Sequence, residues 1–277
     1  MRLVRPTLLA AVTAALAAVV ALVGIPAQAA AGPYTALGDS YSSGVGTRNY
    51  YPDSGSCYRS PQAYPVLVAQ RLGAPLTFAA CSGARVPDVL NQLGSLNAST
   101  AYVTVSVGGN DAGFADVITQ CAKPWPWTCT NEINNANSFI RNTLPGLLDN
   151  LYTQIHNRAP NARVAVVGYP RLFNGEECNA LARISPGEQA SLNQTADLLA
   201  TTTSARAGAH GFGFVDVRSV FTGHAVCDDA EWINGLSNPI LESYHPKAVG
   251  HSSGYAPAVQ SRLSSLAVHQ QAPQRSL

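Results

Sequence analysis

Residues 133–168 read INNANSFIRNTLPGLLDNLYTQIHNRAPNARVAVVG, and they decide the fold. The first part, Ile133 to Arg158, is a long helical pattern expected to kink at Pro145, which cannot donate a backbone hydrogen bond. The second part, Arg163 to Gly168, is a short apolar run bounded by turn residues, which predicts a buried strand. The same alternation extends both ways. Downstream, Ser185 to Ala209 opens on Ser-Pro-Gly-Glu, an N-cap followed by Pro at the first helical position and an acid at the third. Gly213 to Val217 then reads as another strand. Upstream lie strand candidates Tyr34 to Gly38, Leu76 to Ala80 and Tyr102 to Val107. The helical stretch Pro61 to Leu72 carries Tyr64, Leu67, Val68 and Leu72 on one face. Strands alternating with helices predict an α/β fold, a five-stranded parallel sheet with helices on both faces in three α/β/α layers. No internal repeat or linker interrupts it.

The chain has 277 residues, but the first 29 are expected to be removed. Arg2 and Arg5 precede an apolar run from Leu8 to Ile25, and Pro26 then leads into Ala27-Gln28-Ala29. This is the pattern of a secretory signal peptide. An N-terminal membrane anchor is the alternative, and the missing basic stop-transfer flank argues against it. No later stretch is apolar for long enough to span a bilayer, so no stable membrane anchor is expected. A single domain is therefore expected over 30–268, and His269 to Leu277 reads as a frayed tail. Loss of Arg2 and Arg5 takes the formal charge from +1 to −1. Lys123 and Lys247 are the only lysines, which leaves no basic patch for nucleic acid. A monomer is expected. Cys57, Cys81, Cys121, Cys129, Cys178 and Cys227 all follow the signal segment, and their even number suggests three disulfides in an oxidising compartment. Spacing alone leaves the pairing open; the expected one is sequential, 57 to 81, 121 to 129 and 178 to 227. No C-x-x-C or H-E-x-x-H occurs, so no metal or other cofactor is expected.

In open parallel sheets, ligands bind beyond the carboxyl ends of the strands. Three such ends carry small or polar clusters: Gly38-Asp39-Ser40, Cys81-Ser82-Gly83 and Gly108-Gly109-Asn110-Asp111. A Ser directly after a strand presents its hydroxyl at the sheet edge, although an ordinary helix N-cap looks the same. Gly83 can offer a bare N–H. Asn110 can offer a side-chain amide donor to a developing oxyanion, unless it only closes a turn. Glu242-Ser243-Tyr244-His245-Pro246 adds the base that a Ser nucleophile needs near neutral pH. Asp39 and Asp111, beside these positions, are expected to brace the loops.

The blocks GDSYSSG, ACSGA, GGNDAGF and SYHP occur in the order Ser, Gly, Asn, His. Together they resemble the SGNH (GDSL) hydrolase family, over essentially the whole chain after the signal segment. The closest resemblance is to its secreted actinobacterial lipases, esterases and phospholipase A1 enzymes. That resemblance implies a flavodoxin-like sheet, acyl-ester hydrolysis and no metal. It implies Ser40 as nucleophile and His245 as base, with the N–H of Ser40, the N–H of Gly83 and the Asn110 side chain as oxyanion hole. Most of the family has Asp three residues before the His, where this chain has Glu242. In the branch this chain resembles, a carbonyl two residues before the His orients the ring, which here is Ser243. The main-chain carbonyl of Ser243 is therefore the preferred His-orienting group, and the Glu242 carboxylate is the alternative.

Gly250-His251-Ser252-Ser253-Gly254 also fits a G-x-S-x-G nucleophile elbow. An elbow needs a preceding strand and an acid after it, and no Asp or Glu follows Glu242, so Ser252 is set aside. Two other functions compete with a lipid esterase. One is a carbohydrate (acetyl) esterase with the same catalytic blocks. The other is a non-catalytic secreted binding module. Trp125-Pro126-Trp127, between Cys121 and Cys129, offers either an apolar surface or the packing of a small disulfide loop.

Overall fold

Short apolar runs with one dominant partner each build a single parallel sheet. The computed structural model describes residues 31–124, 126–178, 181 and 183–270, with backbone alone for 267–270. The expected signal segment, residues 271–277 of the tail and Trp125 lie outside the described residues. The strands are β1 (Tyr34–Gly38), β2 (Leu76–Phe78), β3 (Tyr102–Ser106), β4 (Arg163–Val167) and β5 (Gly213–Val215), in the spatial order β2-β1-β3-β4-β5. All pairings are parallel. The edge strands β2 and β5 are shorter than their apolar runs, because each has a neighbour on one side only.

The helices are α1 (Ser40–Ser43), α2 (Tyr64–Leu72), α3 (Val86–Gln92), α4 (Phe114–Cys121), α5 (Thr130–Asn142), α6 (Leu144–Arg158), α7 (Pro186–Ala209) and α8 (Ala256–Gln270). α8 carries two residues of the expected tail. The strand period of two sorts the core into two sides. Ala165 and Val167 of β4 pack with Tyr64 and Val68 of α2 and Val259 and Leu263 of α8. Val164 and Val166 pack with Val89 of α3, Leu148 and Leu151 of α6 and Leu199 of α7. The expected kink at Pro145 is a full break: α5 ends, Thr143 turns the chain, and Pro145 sits in the first turn of α6. Proline is tolerated there because a first-turn N–H has no partner within the helix. α7 starts as expected, with Ser185 and Glu188 closing a reciprocal capping box.

Three disulfides join Cys57 to Cys81, Cys121 to Cys129 and Cys178 to Cys227, the sequential pairing. Among the described residues no helix is long and apolar enough to cross a membrane. The strand order reverses between β1 and β3, so their carboxyl ends open a crevice between them. Gly38 closes β1 at φ +125°, and a Cβ there would stand 2.5 Å from the Ser106 carbonyl oxygen. Only glycine lets the two strand ends lie this close.

Candidate active site

Ser40 is the first residue of α1, immediately beyond β1, and is nearly buried. Asp39 caps that short helix, its carboxylate accepting from the Tyr41 N–H at 3.0 Å. The Ser40 hydroxyl lies 2.7 Å from Nε2 of His245, 205 residues later in the chain. On the other side of the ring, Nδ1 is 2.9 Å from the Ser243 carbonyl oxygen. A carbonyl only accepts, so Nδ1 carries the proton and Nε2 is left free to accept from Ser40. Burial pushes the His245 pKa down to about 4, against the opposing pull of the Ser243 carbonyl, which keeps the imidazole neutral at ordinary pH.

The Glu242 carboxylate is engaged elsewhere. It accepts from the Tyr50 hydroxyl at 2.6 Å and from Nε of Arg48 at 3.0 Å. The Glu242 side chain thus ties the loop bearing His245 to the loop that follows α1. Asn234 reinforces the same join through the carbonyls of Gly46 and His245.

The other two strand ends are also bound to each other. Asn110 Nδ2 donates to the Ala84 carbonyl at 3.0 Å, which uses one of its two N–H groups. Asp111 accepts from the Val86 N–H at the start of α3. Gly83 has φ +77° and open space where a Cβ would stand. The loop after β2 and the loop after β3 therefore face the crevice as a unit, next to Ser40. Asp39 and Asp111 brace loops, as expected.

Beside Ser40 and Asn110 opens an apolar cleft of about 740 Å³ counting the open space at its mouth, which the sequence did not disclose. Its walls come from three helices: Phe114, Val117 and Ile118 of α4, Ala136 and Ile140 of α5, and Leu192 and Leu199 of α7. Their spacing along each helix is that of ordinary core positions, so no local signal marks them. Tyr169, just after β4, also lines the cavity and bonds to Asp39. Its place at a strand end is the signal that could have singled it out.

Ser252 does not join this group. Its hydroxyl donates to the Val249 carbonyl at 3.3 Å, inside a π-helical turn, Gly250–Tyr255, that leads into α8. His251 is fully buried, packs beside the stacked pair Tyr64 and Tyr255, and accepts the Tyr64 N–H on Nδ1 at 3.2 Å. Of the histidines outside the site, His210 bonds Asp149 at 3.0 Å and His224 stacks on Trp232. Cys121, Cys129 and Glu188 have metal-like proximity, but the two sulfurs are spent in a disulfide.

A profile of the GDSL-like lipase/acylhydrolase family matches residues 36–252. Lipase 1 of Streptomyces coelicolor is 46% identical over 253 residues, spanning 88% of this chain and 93% of that protein. The crystal structure of an extracellular lipase from Streptomyces rimosus superposes with a TM-score of 0.80 at 44% identity, covering 84% of this chain and all of the other. A phospholipase A1 from Streptomyces albidoflavus superposes equally, with a TM-score of 0.80 at 46% identity over the same shares.

Proposed function

As a member of the GDSL-like lipase/acylhydrolase family, this chain is a carboxylic ester hydrolase, and we propose that it cleaves lipid esters through an acyl-enzyme on Ser40. The observation that carries this reading is the line from the Ser243 carbonyl through His245 to the Ser40 hydroxyl, ending at the mouth of an apolar cavity. In the first step Ser40 Oγ attacks the ester carbonyl and His245 Nε2 takes its proton. The Ser40 N–H, the Gly83 N–H and the Asn110 amide receive the oxyanion, each contributing about 3 kcal/mol to the transition state. The imidazolium is steadied by the Ser243 carbonyl and then protonates the leaving alcohol. Water, deprotonated by the same imidazole, attacks the acyl-enzyme and frees the acid.

The cavity accommodates the acyl chain. A cleft lined by Val, Ile, Leu and Phe stabilises a hydrocarbon chain and has little to offer a carbohydrate. This favours a lipase or phospholipase over a polysaccharide deacetylase. The S. albidoflavus phospholipase A1 supports including phospholipid among the substrates. Export is part of the proposal, supported by three disulfides and the signal-like first 29 residues. The test is a substrate panel on the purified chain, from acetate to long-chain esters, triglyceride and phosphatidylcholine, with Ser40→Ala beside it. Turnover that rises with acyl length and vanishes in Ser40→Ala is expected. Activity confined to acetyl esters, or full activity in Ser40→Ala, would overturn the reading.

A further inference from the structure

Tyr169 stands at the carboxyl end of β4 and reaches back across the crevice. Its hydroxyl donates to Asp39 Oδ2 and lies against Gly109, 3.6 Å from where a Cβ on that residue would stand. Its ring lies 3.5 Å from where a Cβ on Gly109 would stand and meets Tyr41 edge-on at 5.0 Å. Asp39 is the residue before Ser40, and Gly109 is the residue before Asn110. One hydroxyl thus touches the loop of the nucleophile and the loop of the oxyanion donor at equivalent places.

Asp39 is all but buried, and its carboxylate is held by three donors: the Tyr41 N–H, the Ser106 hydroxyl and Tyr169. The first two lie on its own helix and on the neighbouring strand, whose separation the sheet already fixes. Tyr169 also packs against the Gly109 turn. A buried carboxylate bonds charge-assisted donors strongly, so this bridge is stiffer than one between neutral groups.

We propose that Tyr169 is a positioning residue for the hydrolysis: its hydroxyl clamps the Asp39–Ser40 turn to the Gly109–Asn110 turn and so sets the distance between nucleophile and oxyanion donor. This rests on the roles given above to Ser40 and Asn110. It is distinct from the contribution of the ring, which walls the acyl cavity. The two are separable, because Tyr169→Phe keeps the ring and removes only the hydroxyl.

The experiment measures steady-state hydrolysis of a butyrate ester, the rate at which a fluorophosphonate labels Ser40, and thermal unfolding, in the wild type, Tyr169→Phe, Asp39→Asn and the double variant. In Tyr169→Phe, kcat is expected to fall by about 10- to 100-fold, as small misplacements of reacting groups do, with KM within about twofold. The labelling rate falls in parallel, since the phosphorus adduct uses the same donors. In the Asp39→Asn background, where the acceptor has lost its charge, the same hydroxyl deletion costs several-fold less. That background also removes the buried charge, so the deletion is read there if Tyr169→Phe alone does not fold. A wild type that takes no phosphonate on Ser40 overturns the functional reading and this proposal with it. Normal wild-type labelling overturns this proposal alone if Tyr169→Phe labels within about twofold of it. So does a rise in KM at constant kcat, an equal cost in both backgrounds, or a loss that merely follows the unfolded fraction.

Discussion

Ala136→Phe tests whether the cavity measures acyl chains. Ala136 lies on α5, one turn before Ile140, and is almost fully buried against the cavity. Leu199 marks the end near Gly108, where its methyl would meet a Cβ at 3.4 Å. Leu192 lies seven residues earlier on α7, about 10 Å along the helix axis. A phenyl ring at position 136 takes up space toward the Leu192 end and leaves the Ser40 end open. Each substrate methylene buried in the cavity contributes ~0.8 kcal/mol, or roughly fourfold in kcat/KM. Shutting out four of them removes ~3 kcal/mol, about 10² in kcat/KM. With nitrophenyl esters, kcat/KM for the dodecanoate is expected to fall by about 10², while acetate and butyrate change by less than about threefold. Overpacking costs ~1–3 kcal/mol, so thermal unfolding is followed alongside and assays are run well below the transition. A uniform loss at every chain length would mean that the ring disturbs the catalytic groups. An unchanged dodecanoate rate would mean that the acyl chain binds elsewhere, and the reasoning would fail.

Glu242→Gln should lower kcat by less than about tenfold, because its carboxylate serves Tyr50 and Arg48; loss of a true triad acid costs ~10⁴, and a fall of that size would assign the imidazole to Glu242. His245 must be neutral to accept a proton, so its own titration should cut kcat/KM only near pH 4, below the usual imidazole value of 6.5. Burial pushes the Asp39 pKa up to about 6, and its charge strengthens the Tyr169 bridge, so a partial earlier fall near pH 6 is expected that disappears in Asp39→Asn; the same early fall persisting in Asp39→Asn would assign it to another group. Cys57 and Cys81 are 24 residues apart in sequence, and opening that loop by Cys57→Ser with Cys81→Ser should cost ~3 kcal/mol in urea unfolding. A cost near zero would show that the ends of this loop are held by other contacts.

The parts of the molecule that could be read in advance are those written in short stretches of chain. β4 is Arg163 followed by an apolar run of four, and α7 carries its whole N-terminal signal within Ser185 to Glu188. Ser40, Gly83 and Asn110 are visible because a strand must end before each of them, and a parallel sheet gathers those ends on one side. His245 is legible through its neighbours Ser243 and Pro246. The break at Thr143 was half legible: Pro145 signals trouble for a helix, but only tertiary packing decides between a bend and a new start. α8 runs two residues into the expected tail because the polar His269 and Gln270 read like a fraying terminus as readily as like the end of a helix.

What stayed hidden depends on side chains that meet across the fold. The cavity is made from residues three or four apart on three different helices, and that is the spacing of any buried helix face. Whether such a face closes on a neighbour or stands back from it turns on a gap of a few ångströms that no single helix records. The same holds for Tyr169, which bonds Asp39, 130 residues upstream, and packs on Gly109, 60 upstream. A serine hydrolase of this kind therefore discloses its chemistry and conceals its selectivity. The reacting groups sit at strand ends, where topology brings them together, while on the proposed reading the acyl length it accepts is set by how far α4, α5 and α7 stand apart. Substitutions at Ala136 should consequently change which ester is cleaved without changing how, and Tyr169→Phe, which keeps the ring on the cavity wall, should do the reverse.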